Sequence, residues 1–219
     1  MDVQSESDVL GHGFRFKPAW WTDRVPADWG SFLDQLPPAE GGRGYRSITR
    51  ADLLAAAAGP DRDTAGLGRA LVAGYVWGTG SWGFLVGRRA RVFRDNSRER
   101  IFDALVTAGG VLAGGDTEAA YALLSRGQEK HLPWLGPSFF TKFLYAADAK
   151  GQQPGRALIL DRFVAKALNQ KHSWGISERG PWSAATYTRW LDHAHALAAS
   201  AEKRPDAVEM AYFKYGRAL

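Results

Sequence analysis

Apolar residues recur at helical spacing along most of the chain, and clusters of Gly and Pro cut that pattern into segments. From Thr64 onward, Leu67, Leu71, Val72, Tyr75 and Val76 fall on one helical face, running into Trp77-Gly-Thr-Gly-Ser-Trp82-Gly, which reads as flexible. A helix over residues 97–108 is predicted, capped by Asn96 or Asp95, with Ile101, Leu105 and Val106 inward and Gly109-Gly110 as punctuation. Asp116 suits the cap of a helix over 117–126. Phe163, Val164, Ala167 and Leu168 supply the buried face of a later one. Ser183 starts a long helix to about Lys203 with Tyr187, Trp190, Leu191 and Leu197 on its apolar side, and Pro205 begins a last helix through Tyr215. Nearer the start, Asp28 suits the cap of a short helix to Leu36, and 37–44 is a loop. Thr49-Arg-Ala-Asp52 has the spacing of a capping box ahead of a helix over 53–58 that Gly59-Pro60 stops. Residues 1–27 show no period and are expected to form an irregular arm carrying Phe14, Phe16, Trp20 and Trp21. Strand signals are few: the basic run over 87–94 alternates enough for a short strand or a loop. The expected class is mainly α.

The sharpest interruption is Leu132-Pro-Trp-Leu-Gly136-Pro137. Pro133 and Pro137 lack amide donors and Gly136 tolerates positive φ, so no helix continues through it. Pro137 suits the first position of a new helix over 138–147, and the product is a helix, a tight hairpin and a second helix. Free amides at that second N-terminus make a ready site for a phosphate. Gly151, Pro154 and Gly155 break the chain again, and Leu158-Ile-Leu-Asp161 opens the next apolar helix.

These residues resemble the helix-hairpin-helix DNA glycosylases, in which a Gly/Pro-rich loop and a catalytic Asp follow the hairpin. In the lyase-active branch that removes 8-oxoguanine, a Lys on the second hairpin helix is the nucleophile, and its separation from the Asp is matched by Lys142 and Asp161. Gly136-Pro-Ser-Phe-Phe-Thr-Lys-Phe-Leu-Tyr145 with Leu158-Ile-Leu-Asp-Arg162 is similar to a bacterial subgroup with the 8-oxoguanine glycosylase fold, some relatives of which act in defence against phage with modified DNA. The chain departs from the commoner hairpin, Leu-Pro-Gly-Val-Gly with Lys two residues on. Trp134 replaces the first Gly, and Lys142 lies six residues beyond Gly136, about one helical turn deeper. Lys150, at the far end of the helix, is the reserve nucleophile.

The resemblance implies one glycosylase-like domain over 1–219 with two helical lobes and the active site between them. The motif stretch 117–170 and the remaining helices make up the lobes. It also implies double-stranded DNA with a modified base as partner. Trp134, Gly136 and Ser138, with Lys171 and His172 at the end of the next helix, are the candidate DNA contacts. It further implies an alkali-metal ion on the hairpin carbonyls as the one candidate inorganic group, with no other cofactor. The last helix helps line the base pocket in that family, which adds Phe213 to Trp77, Trp82 and Trp174 as candidate walls.

Composition narrows the alternatives. The 219 residues suffice for one substantial core or two small lobes. Apolar content of 45% predicts a folded globule, and no apolar run suits a bilayer span or a signal segment, so a soluble cytoplasmic monomer is expected. Ala/Gly/Arg-rich usage points to a GC-rich bacterial source. Absence of Cys excludes disulfides, Cys-ligated structural zinc and an iron–sulfur cluster. The five His show no metal-binding spacing: His193 and His195, two apart on a helix, do not share a face. Net charge is +5, and Lys130, Lys142, Lys150, Arg156, Arg162, Lys166 and Lys171 gather around the hairpin against only Asp148 and Asp161, which reads as a phosphate footprint.

Each candidate also has a structural role open to it on the residues alone. Asp161 can be a helix cap, Lys142 a lysine whose stem lies along an apolar helix, and the Trp residues core or helix-end packing. The run over 87–94 can be a solubility patch or a DNA-backbone contact. Three functions compete: a glycosylase with AP-lyase activity on an 8-oxoguanine-like purine, a glycosylase removing a hypermodified base from foreign DNA, and a DNA-binding helix-hairpin-helix module without catalysis.

Overall fold

The computed structural model describes residues 3–40, 42–57 and 64–219. The expected stop at Gly59-Pro60 lies outside them, as do Ala58 and Gly41 of the expected 37–44 loop. The first 27 residues are more regular than their pattern suggests. Ser5 and Asp8 form a capping box that starts α1 (Glu6–Gly11). Strand β1 (Gly13–Phe16) pairs antiparallel with β2 (Arg46–Thr49), Gly13 opposite Thr49 and Phe16 opposite Arg46. A two-stranded ribbon of four-residue strands has too few residues to show a period, and its partner lies thirty residues on. Between the strands run short 3-10 turns and α2 (Ala27–Gly30); Asp28 caps nothing there and instead pairs with Arg98.

Thr49 and Asp52 cap α3 (Arg50–Ala57) as their spacing predicts: the Thr49 amide donates to Asp52 Oδ2 at 2.7 Å and the Asp52 amide to Thr49 Oγ1 at 3.2 Å. Helix α4 (Thr64–Thr79) takes in Trp77 and Gly78, so the front of the expected flexible segment is helical. The basic run is also helical, as two single turns, α5 (Val86–Arg89) and α6 (Arg91–Arg94). Helix α7 (Arg98–Ala113) is capped by Ser97, passes through Gly109-Gly110 and leaves Val106 exposed. Asn96, free of capping, donates to Val92 O and Pro133 O, while Asp95 pairs with Arg91 and Arg94. Asp116 caps α8 (Thr117–Leu124) as expected.

Helix α9 (Pro137–Asp148) follows the hairpin and is buried at every position from Phe139 to Ala147. Such a helix belongs inside a protein, and α3, α4, α7 and α8 pack around it. Asp161 caps α10 (Arg162–His172), which packs on α12 (Pro205–Ala218); α11 (Ala184–Ser200), capped by Ser183, lies against α12 and α8. Leu197 of α11 is exposed rather than on its packed face. The fold is mainly helical, and Lys142 comes from the first set of helices while Asp161 opens the second. None of the helices, among the described residues, is long and apolar enough to cross a membrane.

The link between the two sets is not the start of a helix, as Leu158-Ile-Leu suggested, but an irregular segment over 157–160 buried at all four residues. Its backbone is hydrogen-bonded by side chains. Ala157 N–H donates to Asp148 Oδ2 (2.8 Å) and Leu160 N–H to Thr141 Oγ1 (3.2 Å). Tyr187 O–H donates to Leu158 O (2.8 Å) and Trp190 Nε1–H to Ile159 O (3.1 Å). Gly155 is required just before it, since a Cβ there would sit 2.4 Å from Asp148 Cγ.

Thr141→Val keeps the volume and removes the hydroxyl that serves Leu160. A buried amide left without a partner costs about 1–3 kcal/mol, so the urea midpoint should fall accordingly with an unchanged slope. An unchanged midpoint would show that the hydroxyl holds nothing.

Candidate active site

The hairpin is built as its residues demand, with one exchange of roles. Trp134, not Gly136, takes the left-handed backbone (φ 72°), while Gly136 sits at φ −82°. Three contacts hold Trp134 there: Arg91 stacks 3.5 Å above its ring, Tyr75 O–H donates to its carbonyl at 2.9 Å, and Asn96 fastens the neighbouring Pro133 O. Arg100 donates to His131 O; the Leu132 and Gly136 carbonyls accept backbone amides. Most carbonyls of the hairpin are thus engaged from within the protein. The amides tell the opposite story. Among the described residues, neither the Gly136 nor the Ser138 N–H has an acceptor. Two donors thus stand free where α9 begins, at the positive end of its dipole.

One turn into α9, Lys142 is 4% exposed. Its stem fits because α4 carries glycine where it crosses: a Cβ on Gly78 would lie 2.9 Å from Lys142 Cε, and one on Gly74 3.4 Å from its Cβ. The ammonium donates to Ser138 O (2.6 Å) and lies 3.8 Å from Asp161 Oδ2. Asp161 divides its carboxylate: Oδ1 accepts the Phe163 and Val164 amides (2.9 and 3.2 Å), leaving Oδ2 toward the lysine. Capping and the ion pair therefore coexist in one side chain. Burial pushes the Lys142 amine below the ordinary lysine range, Asp161 and Glu209 pull it up, and Arg50 and Arg89 push it down again. Lys150 is exposed in a turn past the end of α9, and its backbone pairs with Gln153.

Of the aromatic candidates, Trp77 and Phe213 stand near this pair and the other two do not. The Trp77 ring lies 5.8 Å from Lys142 Nζ; Phe213 packs against Phe163, two residues past Asp161. Both rings also pack on His12, whose carbonyl accepts from Trp77 Nε1. Trp82 is 58% exposed beside Phe84, in the turn after α4. Trp174 lies in the loop beyond α10 under Arg189 and against His193. Lys171 and His172 are at the C-terminal end of α10, about 16 Å along the axis from Asp161. There Lys171 covers Tyr215 and His172 shares the Tyr212 hydroxyl with His193.

Three neighbours were not singled out in the sequence. Arg50 and Glu209 form a fully buried ion pair, and the guanidinium also lies 5.3 Å from the Trp77 and Tyr145 rings. Burial opposes the Arg50 charge, Glu209, Tyr145 and Asp206 together outweigh it, and the group stays above its ordinary range. His12 is pushed down to about 4, first by burial and then by Arg50, so it is neutral at pH 7. The one available signal was Glu209 itself, a lone charge inside the run over 207–213. The cationic footprint also moves. Lys130 pairs with Asp103 and Glu129, Arg156 with Asp192, and Lys142 is buried.

The arrangement brings a buried amine and a carboxylate together beside free helix-terminal amides, among aromatic rings. Among the described residues no group of His, Asp or Glu side chains could hold a metal ion. None of the curated proteins matches the chain, and none of the solved structures does. Residues 7–213 match the family described as "Putative 8-oxoguanine DNA glycosylase OGG-like protein", and with nearly its whole length inside that match the chain belongs to this family.

Proposed function

We propose that the protein excises a modified purine of the 8-oxoguanine kind from double-stranded DNA, with Lys142 as nucleophile and Asp161 as its electrostatic partner. The observation that carries this reading is the 3.8 Å approach of Lys142 Nζ to Asp161 Oδ2 in a site almost closed to water. Breaking the C1′–N bond builds positive charge on the sugar, and Asp161 supplies a fixed negative charge against it. The neutral amine of Lys142 attacks C1′, the base leaves with the bonding electrons and takes up a proton, and the amine gives up a proton. Opening of the sugar yields an imine, and β-elimination of the 3′ phosphate is the lyase step. The base leaves the stack to reach this chemistry, and Trp77 and Phe213 are the rings placed to receive it.

Lys142→Gln should abolish borohydride cross-linking to an abasic-site duplex while leaving duplex affinity nearly intact; Lys150→Gln should cross-link as the parent does. Trapping that survives the first change and is lost with the second would transfer the role to Lys150. Survival in both would place the nucleophile on another amine, and a parent protein that does not cross-link at all would be a DNA-binding protein without this nucleophile.

Asp161→Asn keeps the cap's size and part of its hydrogen bonding, so the cap itself should lose about 1 kcal/mol at most. Charge stabilisation in a closed site is worth more, and base release should slow by roughly a hundredfold or more. The same variant has a pH signature. Asp161 raises the Lys142 pKa, so its loss lowers it further, and the free amine persists to lower pH. The midpoint of cross-linking rate against pH should therefore shift to acid in the Asn variant. A midpoint that stays put, with turnover near the parent's, would make Asp161 a cap alone.

A further inference from the structure

Contacts around the buried lysine close into a circle. Asp161 Oδ2 lies 3.8 Å from Lys142 Nζ, which lies 5.8 Å from the Trp77 ring centroid. The Trp77 ring meets His12 at 5.3 Å between centroids, His12 meets Phe213 at 5.5 Å, and Phe213 meets Phe163 at 5.4 Å. Phe163 returns to Asp161 through its amide. The members come from five separate stretches: the turn before β1, α4, α9, the head of α10 and α12. Lys142, Trp77 and Phe213 are buried, whereas Asp161, His12 and Phe163 reach solvent, so this collar has a closed side and an open one.

Hydrogen-bonding capacity inside the collar is scarce. Lys142 and Asp161 face each other, the two Phe offer none, and Trp77 commits its Nε1–H to the His12 carbonyl. The Arg50 guanidinium adjoins Trp77, but it is sealed from solvent and paired with Glu209. His12 remains. Its carbonyl also accepts the Arg50 amide at 2.9 Å, which pins the backbone, while its Nδ1 is buried without a partner. Burial and Arg50 keep the ring neutral at pH 7, and a neutral imidazole carries one N–H and one bare nitrogen. Such a ring can pair with a lactam, the adjoining N–H and C=O of an oxopurine, and gains no hydrogen bond from a hydrocarbon edge. A polar atom stripped of water and left unpaired costs free energy, which a hydrogen bond from a ligand would offset. We infer that His12 is the residue by which this protein selects its base, its imidazole hydrogen-bonding the lactam edge of an oxopurine seated inside the collar. The assignment rests on the reading of the protein as a base-excising enzyme and adds the group that tells one base from another.

The probes are two duplexes on a cleavage-resistant 2′-fluoro-arabinose sugar, one carrying 8-oxoguanine and the other an N-linked indole, a purine-sized ring without a polar edge. The parent should bind the first roughly tenfold more tightly than the second. His12→Phe keeps a ring for Phe14, Trp77 and Phe213 to pack on, and it should bind both alike. In ¹⁵N spectra of the parent's histidine rings, the His12 nitrogens should shift with the 8-oxoguanine duplex and stay put with the indole duplex. A variant that keeps the preference, or a His12 signal that does not move, overturns the inference; the spectrum needs no variant, so it decides even if His12→Phe melts early. Borohydride trapping on an abasic-site duplex, where no base remains for His12 to meet, is scored apart. Preference through His12 without any cross-link in the parent keeps this assignment and removes Lys142 as nucleophile, and a cross-link without the preference does the reverse.

Discussion

Four buried residues with no helix or sheet to serve their backbone stand between the two sets of helices, and the site depends on how they are held. Segment 157–160 is fastened by Asp148 and Thr141 from α9 and by Tyr187 and Trp190 from α11. Orphaned backbone groups in an apolar interior are costly, so these four side chains leave the segment little freedom to slide. Asp161 follows at once as the cap of α10. Its distance from Lys142 is therefore set by α9 twice: Lys142 is its next residue after Thr141, and Thr141 grips the segment that delivers the carboxylate.

The charges around that pair have been placed by burial as much as by contact. Lys142 stands among Asp161, Glu209, Arg50 and Arg89, and the balance of these groups, all removed from water, decides how readily it loses its proton. The Arg50–Glu209 pair acts on the lysine with both signs at once, Glu209 holding its proton on and Arg50 easing it off. Removing either partner alone would leave the other buried and unpaired. His12, neutral at pH 7, lets the N-terminal segment approach without adding another cation.

What could be read from the sequence was what local chemistry decides. Pro137 at the start of α9, Asp116 and Ser183 as caps, the Thr49–Asp52 box and Asp161 before α10 all act within a few residues, and each stands where its spacing put it. The approach of Lys142 to Asp161 followed from a resemblance carried by those same stretches. Features made by distant residues were not legible. Arg50 and Glu209 are 159 positions apart, and no period connects them. Residues 87–94 alternate like a strand, yet they form two helical turns, because Arg91 finds Asp95 one turn on and Asn96 closes on Val92 O. Trp82 and Trp77 look equivalent in a stretch with three glycines; Trp77 lies in a helix against Lys142 and Trp82 beyond its end in solvent.

Gly78 has a meaning that its place between Trp77 and Thr79 conceals. It is the point where one helix yields volume to another helix's buried lysine: the lysine's terminal carbons occupy the space that any side chain at 78 would claim. The Lys142 amine is therefore located by an absence on α4 rather than by a partner that grips it from that side. A single methyl group there would displace the amine without touching the hairpin or the cap. The placing of this amine and the building of the hairpin are thus separable in this architecture, and the boundary between them is one missing carbon atom.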